Sequence, residues 1–271
     1  MEISEGWKNI TAGVVLAAGY GHLGDPEKSK LVATVGKDVP MVARVVDLLE
    51  KDLRLATFVV VSEKFFSSIC GALPDFQGRF IVQTARQGTA GALRLVLSEI
   101  GKKFRHLVVL YGDMPCWRPE SIQSLLDSHL RAEGKPVISM FYISLGDSGH
   151  CPCPAAIMNY GRIAWNDNGK IAGIYEPNQP FPPFLQISGV NPSAWVYDVF
   201  WVQNILERLE ENLTPHDKGD GHSSEFWLPD LVVLAQKQGK TVNIVELTEP
   251  IEALGVNTME DLENVRRVLK E

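Results

Sequence analysis

Gly13-Val14-Val15-Leu16-Ala17-Ala18-Gly19-Tyr20-Gly21-His22-Leu23-Gly24 decides the fold, because an unbroken apolar run leads straight into a cluster of glycines. A run without polar alternation suits a strand buried on both faces. Gly19, Gly21 and Gly24 formally match the dinucleotide pattern G-x-G-x-x-G directly after a strand. In that pattern the helix opens inside the glycine turn. Here Asp25-Pro26 interrupts it, and the next helical periodicity waits until Met41. The spacing therefore fits a long loop that wraps phosphates with backbone N–H groups and ends in Lys28-Ser29-Lys30, better than it fits a nicotinamide-cofactor site. A phosphate loop of the Walker kind is excluded, since Gly-Lys-Ser/Thr is missing at the required offset.

Outward from this stretch, short β-branched runs alternate with amphipathic ones, the rhythm of a mostly parallel sheet covered by helices. Phe58 to Val61 reads as a second strand and Leu107 to Tyr111 as a central one. Helical patterns cover Met41 to Lys51, Thr89 to Ile100 and Pro119 to Arg131, the last with Glu120 in its first turn. Past residue 135 the pattern loosens into Val137 to Tyr142, a proline-rich stretch and two short strand-like pieces. Pro177 to Pro183 holds four prolines in seven residues and must be a loop. Asp261 to Leu269 reads as a terminal helix.

Composition bounds the function. A chain of 271 residues with 45% hydrophobic and 22% charged residues can bury a full core as one domain. A formal charge of −7 repels nucleic acid, so no nucleic-acid partner is expected and an anionic substrate must meet a local cluster of cations. No apolar run reaches the ~18 residues of a membrane span, and Met1-Glu2-Ile3-Ser4-Glu5 lacks the features of a secretory leader, so a cytoplasmic location is expected. Four cysteines make no disulfide framework in a chain this long. His150-Cys151-Pro152-Cys153 lacks zinc-site spacing and reads as a loop.

Leu16-Ala17-Ala18-Gly19-x-Gly21, then Lys30-Leu31 and Gly36-Lys37-x-x-Pro40-Met41, resembles the signature of the sugar-phosphate nucleotidyltransferases. The similarity is greatest to the uridyltransferase half of the bifunctional N-acetylglucosamine-1-phosphate uridyltransferases. Further matches follow in the same order: Gln83 with Gln87-Gly88-Thr89-Ala90, Leu110 to Pro115, Tyr160 to Ile163, Glu176, Asn191, Glu225 to Asp230 and Gly255-Val256-Asn257.

This resemblance implies a Rossmann-like three-layer nucleotidyltransferase fold of the GT-A-like kind, with a mostly parallel mixed sheet. It also implies a single domain over residues 1–271, with a nucleotide-binding half to about residue 135 and a sugar-binding half from about 136 onward. The implied reaction joins a nucleoside triphosphate, UTP favoured, to a sugar 1-phosphate and releases pyrophosphate. Alignment and charge neutralisation carry such chemistry. Asp113 and Asn257 are the implied Mg²⁺ ligands, and Asp113 and Lys30 the implied catalytic pair.

Leu16, Ala17, Ala18, Gly19, Gly21 and Lys30 are expected along the triphosphate. Gln83, Gly88 and Thr89 are expected at the base, where an amide matches the uracil edge but equally that of thymine. Tyr111, Gly112, Gly161, Glu176 and Asn191 are expected at the sugar. Each has a plainer reading too: Asp113 as a turn cap, Glu176 before Pro177 as a loop charge, Asn191-Pro192 as a turn. Glu225 and Asp230 read as structural carboxylates at a helix start.

Two departures matter. The family's loop carries an arginine where this chain has Leu23, and Tyr20 replaces a small or basic residue. Loss of one aimed electrostatic group costs roughly 10²–10³ in rate, so the alternative is a catalytically weak or inactive nucleotide-sugar binding protein. Lys28 and His22 are the nearby stand-ins, and lysine is no equal of the arginine fork. Hexapeptide repeats are absent, so no acetyltransferase β-helix domain is expected. The pattern leaves the oligomeric state open.

Overall fold

A computed structural model describes residues 5–145, 155–177, 179–217 and 224–270. The strands are β1 (Thr11–Ala17), β2 (Thr34–Val35), β3 (Val39–Pro40), β4 (Ala56–Ser62), β5 (Arg79–Gln83), β6 (His106–Tyr111) and β7 (Ile138–Ser144). They continue with β8 (Arg162–Trp165), β9 (Ile171–Tyr175), β10 (Gln186–Val190), β11 (Trp195–Asp198), β12 (His216–Asp217), β13 (Ser224–Glu225) and β14 (Val242–Glu246). The α-helices are α1 (Met41–Asp47), α2 (Phe66–Gly71), α3 (Gly88–Glu99), α4 (Pro119–Arg131), α5 (Val199–Leu206), α6 (Leu209–Asn212), α7 (Asp230–Lys237) and α8 (Met259–Lys270).

One ten-stranded sheet runs in the order β5-β4-β1-β6-β11-β7-β10-β8-β9, with β14 added beside β7. From β5 to β6 every pairing is parallel, whereas β11 runs antiparallel between β6 and β7. The expected mixed sheet with helical layers is borne out.

The apolar run at 13–18 is explained by burial on both faces. Val15, Ala17, Val59, Val61, Val108 and Leu110 enter one core with α1, α4 and α8. Ala12, Val14, Val60, Leu107 and Val109 enter the other with α3, α5 and α7. Period-two alternation with both faces covered explains why residues 13–18 are apolar throughout. Leu93 of α3 is fully buried in the second core, and truncating such a leucine to alanine costs about 2–5 kcal/mol.

α1 follows β1 on one face and α3 follows β5 on the other, so the connections switch sides between β1 and β6. A doubly wound sheet opens its ligand crevice at that switch, beyond the carboxyl ends of the strands. The glycine loop after β1 and the Gly112-Asp113 turn after β6 lie there, with Gly112 N donating to Leu16 O at 3.0 Å.

α4 spans the residues its periodicity indicates. Its start is capped from afar: Glu252, 2% exposed, accepts from Arg118 N at 3.0 Å and from Ser121 Oγ at 2.9 Å. α1 is shorter than its apolar pattern, because Leu48–Asp52 widens into a π-turn. The second half holds more structure than the two strand-like pieces expected there, since β8, β9, β10, β11 and β14 all join the sheet. The prolines from 177 to 183 do lie in a loop, among the described residues. His150, Cys151 and Cys153 lie outside the described residues. No helix among the described residues is long and apolar enough to cross a membrane.

Candidate active site

The glycine loop is wound around a lysine. Lys30 N donates to Gly21 O at 3.0 Å, and Ser29 caps the single 3-10 turn Lys30–Val32 by accepting from Leu31 N at 3.3 Å. A Cβ on Gly21 would come within 2.9 Å of Lys30 Cε, so a side chain at this position would displace the end of the lysine. Thus directed, the Lys30 ammonium lies 2.8 Å from Asp113 Oδ2 and 2.7 Å from Asn257 Oδ1, and donates to Val256 O at 2.6 Å. Lys30 and Asn257 are 227 residues apart in sequence, so only the fold brings them together. The expected trio of Lys30, Asp113 and Asn257 is a single cluster.

Each member is held by main chain. Val256 N donates to Asp113 O at 2.9 Å, joining the turn after β6 to the Gly255-Val256-Asn257 turn. Just beyond Asn257, Asp261 accepts from Asn257 N at 3.0 Å and Thr258 N at 2.9 Å, while Thr258 Oγ1 accepts from Asp261 N at 3.1 Å. This reciprocal cap opens α8 and fixes the approach of Asn257. Tyr160 braces the same turn: its hydroxyl donates to Ala253 O at 2.6 Å and accepts from Gly255 N at 2.8 Å. Burial drives that phenol well above its ordinary range, so it remains a donor. Tyr160 has no role expected from sequence. Its only signal there was its place before Gly161.

Among the residues expected at the base, Gln83 ends β5, is 8% exposed, and donates through Nε2 to Gly88 O at 3.4 Å. Gly88 has a φ of 72°, and a Cβ there would lie 2.4 Å from Phe226 O. The turn is pinned from across the cleft: Phe226 N donates to Gln87 O at 3.0 Å, Ala90 N to Phe226 O at 2.9 Å, and Leu228 N to Thr89 Oγ1 at 3.0 Å. The run from 225 to 228 thus supports the Gln87-Gly88-Thr89 turn.

Among the residues expected at the sugar, Asn191 N donates to Gly161 O at 2.8 Å, and Asn191 Oδ1 accepts from Ser193 N at 2.9 Å. Glu176 Oε1 lies 3.7 Å from where a Gly161 Cβ would stand. Tyr111 hydrogen-bonds with Thr89 and Ser193, linking this wall to the base turn, and burial pushes its phenol up to about 12. Tyr111, Gly161, Glu176 and Asn191 therefore stand together. Asp230 opens α7 and pairs with His216 at 2.7 Å, while Glu225 Oε2 accepts from Trp227 Nε1 at 3.2 Å, in keeping with a bracing role for both acids. Burial pushes the Cys116 thiol up to about 12, so it packs and does not react.

Residues 13–156, more than half of the 271, match the MobA-like NTP transferase domain. The chain belongs to the MobA-like NTP transferase family. Among curated relatives, the bifunctional protein GlmU of Caldicellulosiruptor saccharolyticus is 26% identical over 261 residues, covering 95% of this chain and 51% of that protein. The GlmU of Bacillus licheniformis is 27% identical over 245 residues, covering 90% and 49%. The chain thus spans about half the length of the curated relatives it matches. A 4-diphosphocytidyl-2C-methyl-D-erythritol synthase from Anaerococcus prevotii superposes with a TM-score of 0.63 at 14% identity, covering 97% of this chain and 100% of that one. A CMP:2-keto-3-deoxy-manno-octonic acid synthetase bound to CTP gives 0.65 at 16%, with 96% and 98% covered. Those two likenesses concern the fold.

For this MobA-like chain, the motif resemblance is borne out at the level of the family. Among the described residues no group of three His, Cys, Asp or Glu could hold a metal. A magnesium ion carried by phosphates would need no such cage, because it keeps waters and takes one or two protein oxygens. Asp113 and Asn257 already direct a carboxylate and an amide oxygen at one cation, the Lys30 ammonium. That donor set fits Mg²⁺.

Proposed function

We propose that this chain is a sugar-1-phosphate nucleotidyltransferase that uses UTP in preference and forms a UDP-sugar, UDP-N-acetylglucosamine or a relative of it, with release of pyrophosphate in the cytoplasm. One observation carries the reading: a carboxylate at the end of β6 and an amide 144 positions later converge on one cation beside a glycine loop.

In this reading the glycine loop and Lys30 bind the triphosphate, with the backbone of Leu16 to Gly21 along its length. Gln83 and the Gly88-Thr89 turn take the base, and Tyr111, Gly112, Gly161, Glu176 and Asn191 take the sugar phosphate. A phosphate oxygen of the sugar 1-phosphate attacks the α-phosphorus, and the bond from that phosphorus to the bridging oxygen breaks. Pyrophosphate leaves with the electron pair. No group of the protein becomes covalently attached, so its work is alignment and neutralisation. Mg²⁺, held by Asp113 and Asn257, would supply charge neutralisation at the phosphates. Lys30 lies against both of those residues, and in the complex its ammonium moves from their oxygens to the phosphates.

The resemblance of the glycine loop, Lys30 and the Gly255-Val256-Asn257 turn to the sugar-phosphate nucleotidyltransferase signature supports a sugar-nucleotide product. Pyrophosphate release over a panel of triphosphates and sugar 1-phosphates with Mg²⁺ tests the proposal, with UTP and N-acetylglucosamine 1-phosphate the expected best pair. A second reading, a nucleotide-sugar binding protein without turnover, is favoured by Leu23, which packs against the core and brings no cation to the loop. UDP-sugar binding in calorimetry with no turnover for any pair would select it.

A further inference from the structure

The glycine loop meets the β5–α3 connection at a contact that the proposed reaction has not yet used. Arg86 places its guanidinium carbon 3.8 Å from the centroid of the Tyr20 ring, and Tyr20 packs in turn against Phe65 at 5.9 Å. Tyr20 lies between Gly19 and Gly21, and Gly21 is the residue pressed against Lys30. Arg86 and Lys30 therefore bear on adjacent residues of one loop, about 3.8 Å apart along the chain, and they approach it from different elements. Arg86 has a fixed base, because the next residue, Gln87, is bonded through its carbonyl by Phe226 N and through its side chain by Arg94 at 2.9 Å.

Lys28 pairs with Asp25 at 3.5 Å, and Lys64 pairs with Glu27 at 3.1 Å and Pro26 O at 2.8 Å. In a chain of charge −7, a polyphosphate needs a cation presented at the loop itself. A guanidinium stacks through its face and binds phosphate in its plane, so a ring beneath it orients it without competing for the anion. Stacking of this kind stabilises modestly where water has access and more where it is excluded.

We propose that Arg86, oriented by the Tyr20 ring, binds the β- and γ-phosphates of the nucleoside triphosphate. The inference rests on the reading that a triphosphate occupies this cleft. It assigns to the β5–α3 connection a phosphate contact that the glycine loop cannot supply with Leu23.

Calorimetry with Mg²⁺ and either UTP or UMP separates the possibilities, since the two ligands differ only in the phosphates at issue. Arg86→Ala is expected to weaken UTP about tenfold or more, the scale of one hydrogen bond to a charged group, and to leave UMP nearly unchanged. Arg86→Lys should fall between, and Tyr20→Leu should follow Arg86→Ala in direction. Arg86 is exposed, so its variants keep the fold, and thermal midpoints check this for them and for the half-buried Tyr20→Leu. Equal weakening of UTP and UMP would show that Arg86 only clamps the two loops, and unchanged UTP binding would remove it from the site. Either result overturns the inference while leaving the functional reading intact. Failure of the unmodified protein to bind any triphosphate would sink both.

Discussion

Lys30 and Asp113 form a 2.8 Å ion pair whose ammonium also reaches Asn257 Oδ1 at 2.7 Å. The lysine side chain is 11% exposed and the aspartate 25%, so the pair is shielded from bulk water without being sealed from a ligand. Two oxygens that converge on an ammonium converge equally well on a hard metal ion. If Asp113 and Asn257 hold the metal as proposed, lysine and metal would compete for one seat in the nucleotide-free protein.

That competition predicts opposite effects of a single substitution. Lys30→Met should tighten divalent-cation binding to the nucleotide-free protein about tenfold, because it removes a charge-assisted partner worth about 1.5–3 kcal/mol. Turnover should fall at the same time, roughly 10²-fold or more. Titration with Mn²⁺ as a probe checks the first effect, and pyrophosphate release checks the second. Weaker metal binding in the variant would mean that Lys30 helps to build the seat.

Tyr160 makes a prediction about stability. Tyr160→Phe leaves Gly255 N and Ala253 O without their partner, at a cost of about 1–3 kcal/mol, and loosens the turn that carries Asn257. Urea unfolding should show the loss. The apparent Mg²⁺ requirement for turnover should rise in parallel. Loss of stability with an unchanged Mg²⁺ requirement would confine Tyr160 to a role in folding.

A pH dependence of stability should come from the other end of the sheet. His129 is 3% exposed, lies 2.8 Å through Nδ1 from Ser139 Oγ, and packs against His106 at 5.1 Å between ring centroids. Burial pushes its pKa down to about 3 from the ordinary 6.5. The unfolded chain therefore binds a proton that the folded one refuses, between those two values. Stability from this group is complete above pH 6.5 and declines as pH falls toward 3, by at most about 1.4 kcal/mol per pH unit. Unfolding free energies for the protein and for His129→Asn, between pH 7.5 and 5, should diverge in slope, with the variant shallower. Identical slopes would place the acid sensitivity elsewhere.

The parts of the fold legible in sequence were those fixed by local pattern. β1, β4 and β6 are buried on both faces and announce themselves as apolar runs, and α4 shows its period and its N-terminal proline. The strands β8 to β11 were harder to read, because each is four or five residues long and draws its identity from neighbours distant in the chain. The same division holds at the site. Gly21, Lys30 and Asp113 lie in recognisable short motifs. Tyr160 acts through main-chain groups 93 and 95 residues away, and Arg86 acts through a ring on another loop, so neither contact leaves a trace in local sequence.

The metal seat proposed at Asp113 and Asn257 is tested most directly by calorimetric titration of UTP with Mg²⁺ and with EDTA, for the unmodified protein, Asp113→Ala and Asn257→Ala. Chelation is expected to weaken UTP about tenfold or more in the unmodified protein, on the scale of a lost charged contact, and both variants should bind UTP weakly with little response to Mg²⁺. Variants that respond to Mg²⁺ as strongly as the unmodified protein would contradict the proposed seat.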